Sequence, residues 1–189
     1  MFRLTRPSEG MIREFLASQH NRELSYSDVG SSRDTPPAGY TVDHNRVKLG
    51  EGPDTFEHAT KALRRWRMCR LEWVELFWPS APIEIGTDVA VLVRVCGVWL
   101  LNACRIVYVV DETTPVRRYG FAYGTLPDHA ETGEERFSIE WRREDDSVWY
   151  DMLAFSRPRH PLARLGYPLT RRLQKRFARD SMAAMCRAR

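Results

Sequence analysis

From residue 89 to residue 155 apolar and polar side chains alternate in short runs, and beyond them the apolar spacing lengthens. Alternation sends successive side chains to opposite faces of a strand, so the first stretch predicts half-buried β-strands. Leu162, Leu165, Leu169, Leu173, Phe177 and Ala184 recur at helical spacing and predict one long amphipathic helix over 162–185. The clearest hairpin joins 89–95 to 98–110 through a tight turn at Gly97. Further strands are expected over 118–126, 135–141 and 148–155, the last entered through the acidic turn residues Glu144, Asp145 and Asp146. Upstream, 40–49 and 71–77 read as strands, the first stopped by Gly50 and Gly52, the second by Pro79 and Pro82. Pro53 and Asp54 open a helix that runs through Phe56, Ala59, Leu63 and Trp66 to Met68. Met11, Ile12, Phe15 and Leu16 mark a shorter helix before the polar loop 25–39.

Consecutive strands with grouped helices make the class α+β. About seven antiparallel strands leading into one long helix is the outline of a helix-grip domain, a curved sheet wrapped on a C-terminal helix. One domain is expected over 1–189, with 1–39 as an N-terminal helix and loop and 40–189 as the helix-grip core.

Charged residues identify the wet face of each strand, and parity assigns the rest. Asp151 sends Val148, Tyr150 and Met152 inward; Arg136 and Glu140 send Glu135, Phe137, Ile139 and Trp141 inward. Arg105 sends Val98, Leu100, Asn102, Cys104, Ile106 and Tyr108 inward. That inner face is apolar but carries Asn102, Tyr108, Tyr150 and Glu135. An apolar cavity with a few convergent polar groups is how small-molecule sites are built, so Asn102, Tyr108, Trp141 and Tyr150 are candidate ligand contacts. The competing reading is a filled core in which these groups satisfy one another.

The chain is long enough to bury a core without disulfides or metals. No apolar run approaches the ~20 residues that span a bilayer, and Arg3, Arg6 and Glu9 interrupt any signal-peptide core. A cytoplasmic location is the expectation. Cys69, Cys96, Cys104 and Cys186 form no C-x-x-C pair, and the histidines add no ligand spacing, so neither a disulfide framework nor a metal or other cofactor is expected. Cys96 and Cys104 fall in apolar strand patterns and read as small buried hydrophobes. The net charge of +4 is uneven, because residues 157–189 hold ten Lys or Arg against the single acid Asp180. Such a helix can meet an anionic surface, but it lacks the interleaved aromatics that stack on bases, which argues against nucleic acid. Arg164, Arg171, Arg172, Lys175, Arg176 and Arg179 then read first as the wet face of a packed helix, with an anionic membrane as a lesser possibility.

The least generic stretch runs Gly120-Phe-Ala-Tyr-Gly-Thr-Leu-Pro-Asp-His129, followed by Gly133-Glu-Glu-Arg-Phe137. Gly124 within a strand signals a bulge or a close backbone approach. Tyr123, His129 and Glu135 near an apolar pocket are candidates for acid–base catalysis, since desolvation raises a carboxyl pKa and His titrates near neutrality. The alternative for His129 is an exposed turn residue. No G-x-S-x-G elbow or phosphate-binding loop occurs.

These segments, with Tyr26-Ser-Asp-Val-Gly30, Gly39-Tyr40, Pro79-Ser-Ala-Pro82, Asn102-Ala-Cys-Arg105 and Phe155-Ser-Arg-Pro158, resemble the domain-of-unknown-function family nineteen-ninety of bacteria and plants. The resemblance covers nearly the whole chain and implies no established activity. More distantly it implies the START-like, Bet v 1-like and polyketide-cyclase-like proteins, which share the helix-grip fold and bind lipids, hormones or polyketides. Those proteins place two short helices between their first and second strands, where this chain shows one, over 54–68. The leading expectation is therefore a domain that holds a hydrophobic small molecule between sheet and terminal helix. The second is a cofactor-independent cyclase, dehydratase or isomerase in the same pocket. The third is an interaction module acting through the basic helix.

Overall fold

The computed structural model describes residues 2–159 and 166–188. Three α-helices occur among them: α1 (Glu9–Gln19), α2 (Gly52–Arg64) and α3 (Tyr167–Cys186), with a short 3₁₀ turn at Arg67–Cys69. The strands are β1 (Phe2–Arg3), β2 (Thr41–Glu51), β3 (Val74–Phe77), β4 (Asp88–Val95), β5 (Val98–Glu112), β6 (Arg117–Thr125), β7 (Glu131–Trp141) and β8 (Ser147–Pro158). They form one antiparallel sheet in the order β2-β8-β7-β6-β5-β4-β3, with β1 paired to β5 off that path. The sheet and the terminal helix make the expected helix-grip architecture. Leu162 and Leu165, at the start of the expected terminal helix, lie outside the described residues.

The sheet has two covered faces. Phe56, Leu63, Trp66 and Met68, from α2 and the turn after it, pack on the inner face with Ile106, Phe121, Phe137, Tyr150 and Met152, joined by Ala178 and Met185 of α3. On the outer face Ile12 and Phe15 of α1 pack against Ala90, Leu92, Leu101 and Ala103 of β4 and β5. Arg105 fastens that helix: its guanidinium donates to the carbonyls of Gln19, His20 and Arg22 and pairs with Asp88 at 2.6 Å. A cation on the free carbonyls of a helix end is electrostatically favoured.

Four expectations change. The helix expected over 54–68 stops at Arg64, because Trp66 adopts a left-handed conformation (φ 55°) that seats its fully buried ring, with its indole N–H donated to the Ala81 carbonyl at 2.9 Å. The chain then adds the 3₁₀ turn, a second short helical piece between the first two long strands. Strand β7 starts at Glu131, four residues before the expected start, and so brings a further carboxylate onto the sheet. Cys96 is exposed in the β4–β5 turn at φ 49°, followed by Gly97 at φ 78°; the primed turn that suits a two-residue hairpin takes it out of the strand.

The fourth concerns Tyr108. A register shift between Ile106 and Tyr108 puts a β-bulge in β5, and one inserted residue reverses every later side chain. Tyr108 therefore lies on the outer face with Val110 and Ala122, its hydroxyl 2.7 Å from that of Ser32.

Candidate functional site

A cavity of about 710 Å³ lies between the inner face of the sheet and α3. Alternation along β4 presents Val91, Val93 and Val95 to it, the hairpin partner β5 adds Leu100, and β8 adds Met152. Helix α3 closes the other side with Leu173, Phe177 and Met182. Its second half is anchored, with Ala178, Ser181, Ala184 and Met185 buried. Its first half overhangs the opening, and Leu169 on the cavity wall is 47% exposed. An apolar stripe that packs on protein at one end and faces open space at the other marks a pocket, not a filled core.

The polar wall comes from β5 to β8. Tyr123 of β6 and Glu135 of β7 are register partners, and the phenol donates to the carboxylate at 2.8 Å. Burial pushes Glu135 up to about 7, and the nearby carboxyls of Glu131 and Asp43 push the same way, against the pull of the Tyr123 bond. Burial also lifts the Tyr123 phenol well above its ordinary value, so it stays a neutral donor. Two residues along the same face, Glu131 accepts from the Gln174 amide at 2.7 and 2.9 Å, and burial raises its carboxyl too. Gln174 also donates to the Ser156 hydroxyl, which ties α3 to β8. Asp43 at the same wall is held by both terminal nitrogens of the Arg171 guanidinium.

His129 sits in the β6–β7 connection on the cavity lining. Its Nδ1 lies 3.0 Å from the Glu131 backbone N–H and 3.1 Å from the Glu131 carbonyl oxygen, and burial holds its pKa down to about 4. Asn102 lies on the same lining and accepts from the Ala130 N–H at 3.3 Å.

The structure thus brings Tyr123, His129, Glu135 and Asn102 onto one cavity. Tyr150 and Trp141 point inward as parity expects, yet neither lines it. Tyr150 is fully buried with its hydroxyl 2.9 Å from that of Ser181, a satisfied core group between β8 and α3. Trp141 lies near Phe56 of α2 and donates to Asp146 at 2.8 Å. Parity names a face, whereas the helices that cover half of that face decide where it is hollow. The sequence pattern points to neither Glu131 nor Gln174, and Asp43, in Asp43-His44-Asn45, resembles part of a catalytic set there only by composition. Glu131 shares the parity of Glu135, so extending the strand upstream is the one signal that could have found it.

The outer side of β7 explains another motif. Glu134, adjacent to Glu135 but on the opposite face, is buried and accepts from the Tyr26 hydroxyl at 2.6 Å, the Gly30 N–H at 2.7 Å, and the Ser32 N–H and hydroxyl. The Tyr26 ring lies directly over Gly124, where a Cβ would stand 2.2 Å from the Tyr26 hydroxyl. The close approach expected at Gly124 is therefore a clasp that fastens the 26–32 segment to the sheet. Among the described residues no three His, Cys, Asp or Glu side chains are placed to hold a metal ion, and no helix is long and apolar enough to cross a membrane.

Residues 25–184 match the family model described as domain of unknown function (DUF1990). A "UPF0548 protein" of Dictyostelium discoideum is 34% identical over 206 aligned residues, covering 100% of this chain and 95% of that protein. One from Deinococcus radiodurans is 37% identical over 201, covering 100% and 98%. Among solved structures, a hypothetical protein from Helicobacter pylori superposes with a TM-score of 0.54 at 8% identity, covering 88% of this chain and 96% of that one. That likeness bears on fold alone. The sequence matches bear on descent, and by them the chain belongs to the DUF1990 family.

Proposed function

We propose that the protein binds an apolar small molecule in the cavity between the sheet and α3. The observation that carries this reading is the cavity itself, about 710 Å³ and walled mainly by valine, leucine, methionine and phenylalanine, with its polar groups gathered on one side. Small-molecule sites run from ~300 to ~1,000 Å³ with this mixture of lining. The test is titration with N-phenyl-1-naphthylamine, an uncharged dye that fluoresces in dry surroundings. Saturable binding near one dye per chain is expected, with a melting temperature that rises with ligand, since a ligand at 100 times its Kd stabilises by ~2.7 kcal/mol. No saturable binding of the dye, and no thermal shift with lipids, aromatics or polyketides, would remove the proposal.

A second reading, acid–base catalysis in the same cavity, is favoured by the Tyr123–Glu135 pair. A carboxyl near pKa 7 bonded to a neutral phenol can take and return a proton at physiological pH, with the neutral ring of His129 on the same lining. Its test is product formation from a bound polyketide-like or hydroxylated substrate, lost in Glu135→Gln while binding persists. The third reading has less support, because Arg171 is engaged by Asp43 and Arg176 and Arg179 share Asp180.

A further inference from the structure

The charge of the polar wall narrows the ligand class, an argument that rests on the cavity being the binding site. Glu135 has Tyr123 as its hydrogen-bond partner, and Glu131 has Gln174; among the described residues neither carboxyl forms an ion pair. Among the described residues the cation deep on this side is Arg171; it is held by Asp43 and donates to Gln174, and its charge pulls on Glu131 against the larger effect of burial. Lys175 and Arg179 belong to the lining but lie exposed on α3, and Arg179 pairs with Asp180. A buried carboxyl without a cation is unfavourable, and a ligand that supplies the cation recovers that energy. A second carboxylate or a phosphate placed there would meet like charge. Asn102, only 6% exposed, adds an independent pointer: its Oδ1 is used by Ala130, while its Nδ2 has no hydrogen-bond partner among the described residues. That Nδ2 is not an enclosed atom; it opens onto the cavity, where an acceptor on the ligand can meet it.

We propose that the cavity selects amphiphiles whose head is a protonated amine, set against Glu135 and Glu131, over those with a carboxylate or phosphate head. The apolar body occupies the valine and leucine wall of β4 and β5 beneath Leu173 and Phe177. Asn102 can serve an oxygen acceptor borne by the same ligand.

The experiment is displacement of bound N-phenyl-1-naphthylamine at about pH 7.5 by three molecules with one tail: dodecylamine, dodecanol and dodecanoate, each below its micelle concentration. The amine is expected to displace the dye at concentrations at least tenfold lower than dodecanoate, with dodecanol between. The net charge of +4 works against this order, so non-specific attraction cannot produce it. Glu135→Gln is expected to abolish the amine's advantage over dodecanol, read as the ratio of their displacing concentrations. Dodecanoate binding as tightly as the amine would overturn the inference, as would a Glu135→Gln protein that keeps the amine preference, or a dye that none of the three displaces. Failure of the dye itself to bind would instead strike the cavity proposal on which this one rests.

Discussion

Glu134 and Glu135 are neighbours of the same type with opposite fates. Glu134 receives hydrogen bonds from Tyr26, Gly30 and Ser32; Glu135 receives one from Tyr123 and otherwise faces the cavity. The raised value of Glu135 has a stability consequence. Its folded-state pKa of about 7 exceeds the ordinary 4.5, so the folded protein holds that proton more tightly. The resulting stability is fully present below about pH 4.5 and is lost as pH rises to about 7. His129, lowered from 6.5 to about 4, acts in the opposite sense: stability present above 6.5 is lost as pH falls toward 4. Glu135→Gln removes the first effect only. The variant should be more stable than the parent by about 2–3 kcal/mol near pH 8 and nearly equal to it near pH 4.5, as read from urea unfolding at the two values. The same difference at both would show that Glu135 is not desolvated. The residue types at this site were legible: Tyr123, His129, Glu135 and Asn102 all line the cavity. The rest of the polar wall was not, because Gln174 reaches Glu131 across 43 residues of sequence and Arg171 reaches Asp43 across 128.

Helix α3 works as two halves. Residues from Ala178 onward are packed on the core; those before are tethered by Arg171 to Asp43 and by Gln174 to Glu131 and Ser156. Arg171→Ala should therefore speed amide hydrogen exchange in the first two turns of α3 several-fold and leave 178–186 unchanged. Uniform acceleration along the helix would mean that the tether supports the whole element. The strands were readable because both faces of the sheet are sorted by charge or apolar contact, which imposes a period of two. The β5 bulge was not readable, since a one-residue insertion leaves no compositional mark and is fixed by the pairing with β6. The break at Trp66 had the same origin: burial of an indole overrode a helical pattern.

Among the described residues, the inner face of the sheet is filled in one region and hollow in another. Helix α2, the 3₁₀ turn and the second half of α3 fill the inner face beneath Phe121, Phe137 and Tyr150, while the face formed by β4, the start of β5 and the end of β8 stays hollow under α3. Filling that space should separate stability from binding. Val93→Trp places a large apolar side chain into the cavity from a position paired with Leu100. The melting temperature should hold or rise, because apolar area gained on burial is worth ~25 cal/mol per Å². Dye binding should fall at least tenfold. A folded Val93→Trp protein that binds as well as the parent would place the ligand elsewhere.

Periodicity alone was enough for the class, the strand sequence, the inward parity of most strands and the terminal helix, because each follows from local rules that repeat every two or 3.6 residues. Depth, closure and partnership needed the folded chain. Tyr108 lost its inward position to a bulge, Tyr150 and Trp141 went to filled regions of the inner face, and Glu131 came in from a longer strand. Whether an inward residue meets a helix or a hollow depends on packing between elements distant in sequence, and that packing leaves no period to read.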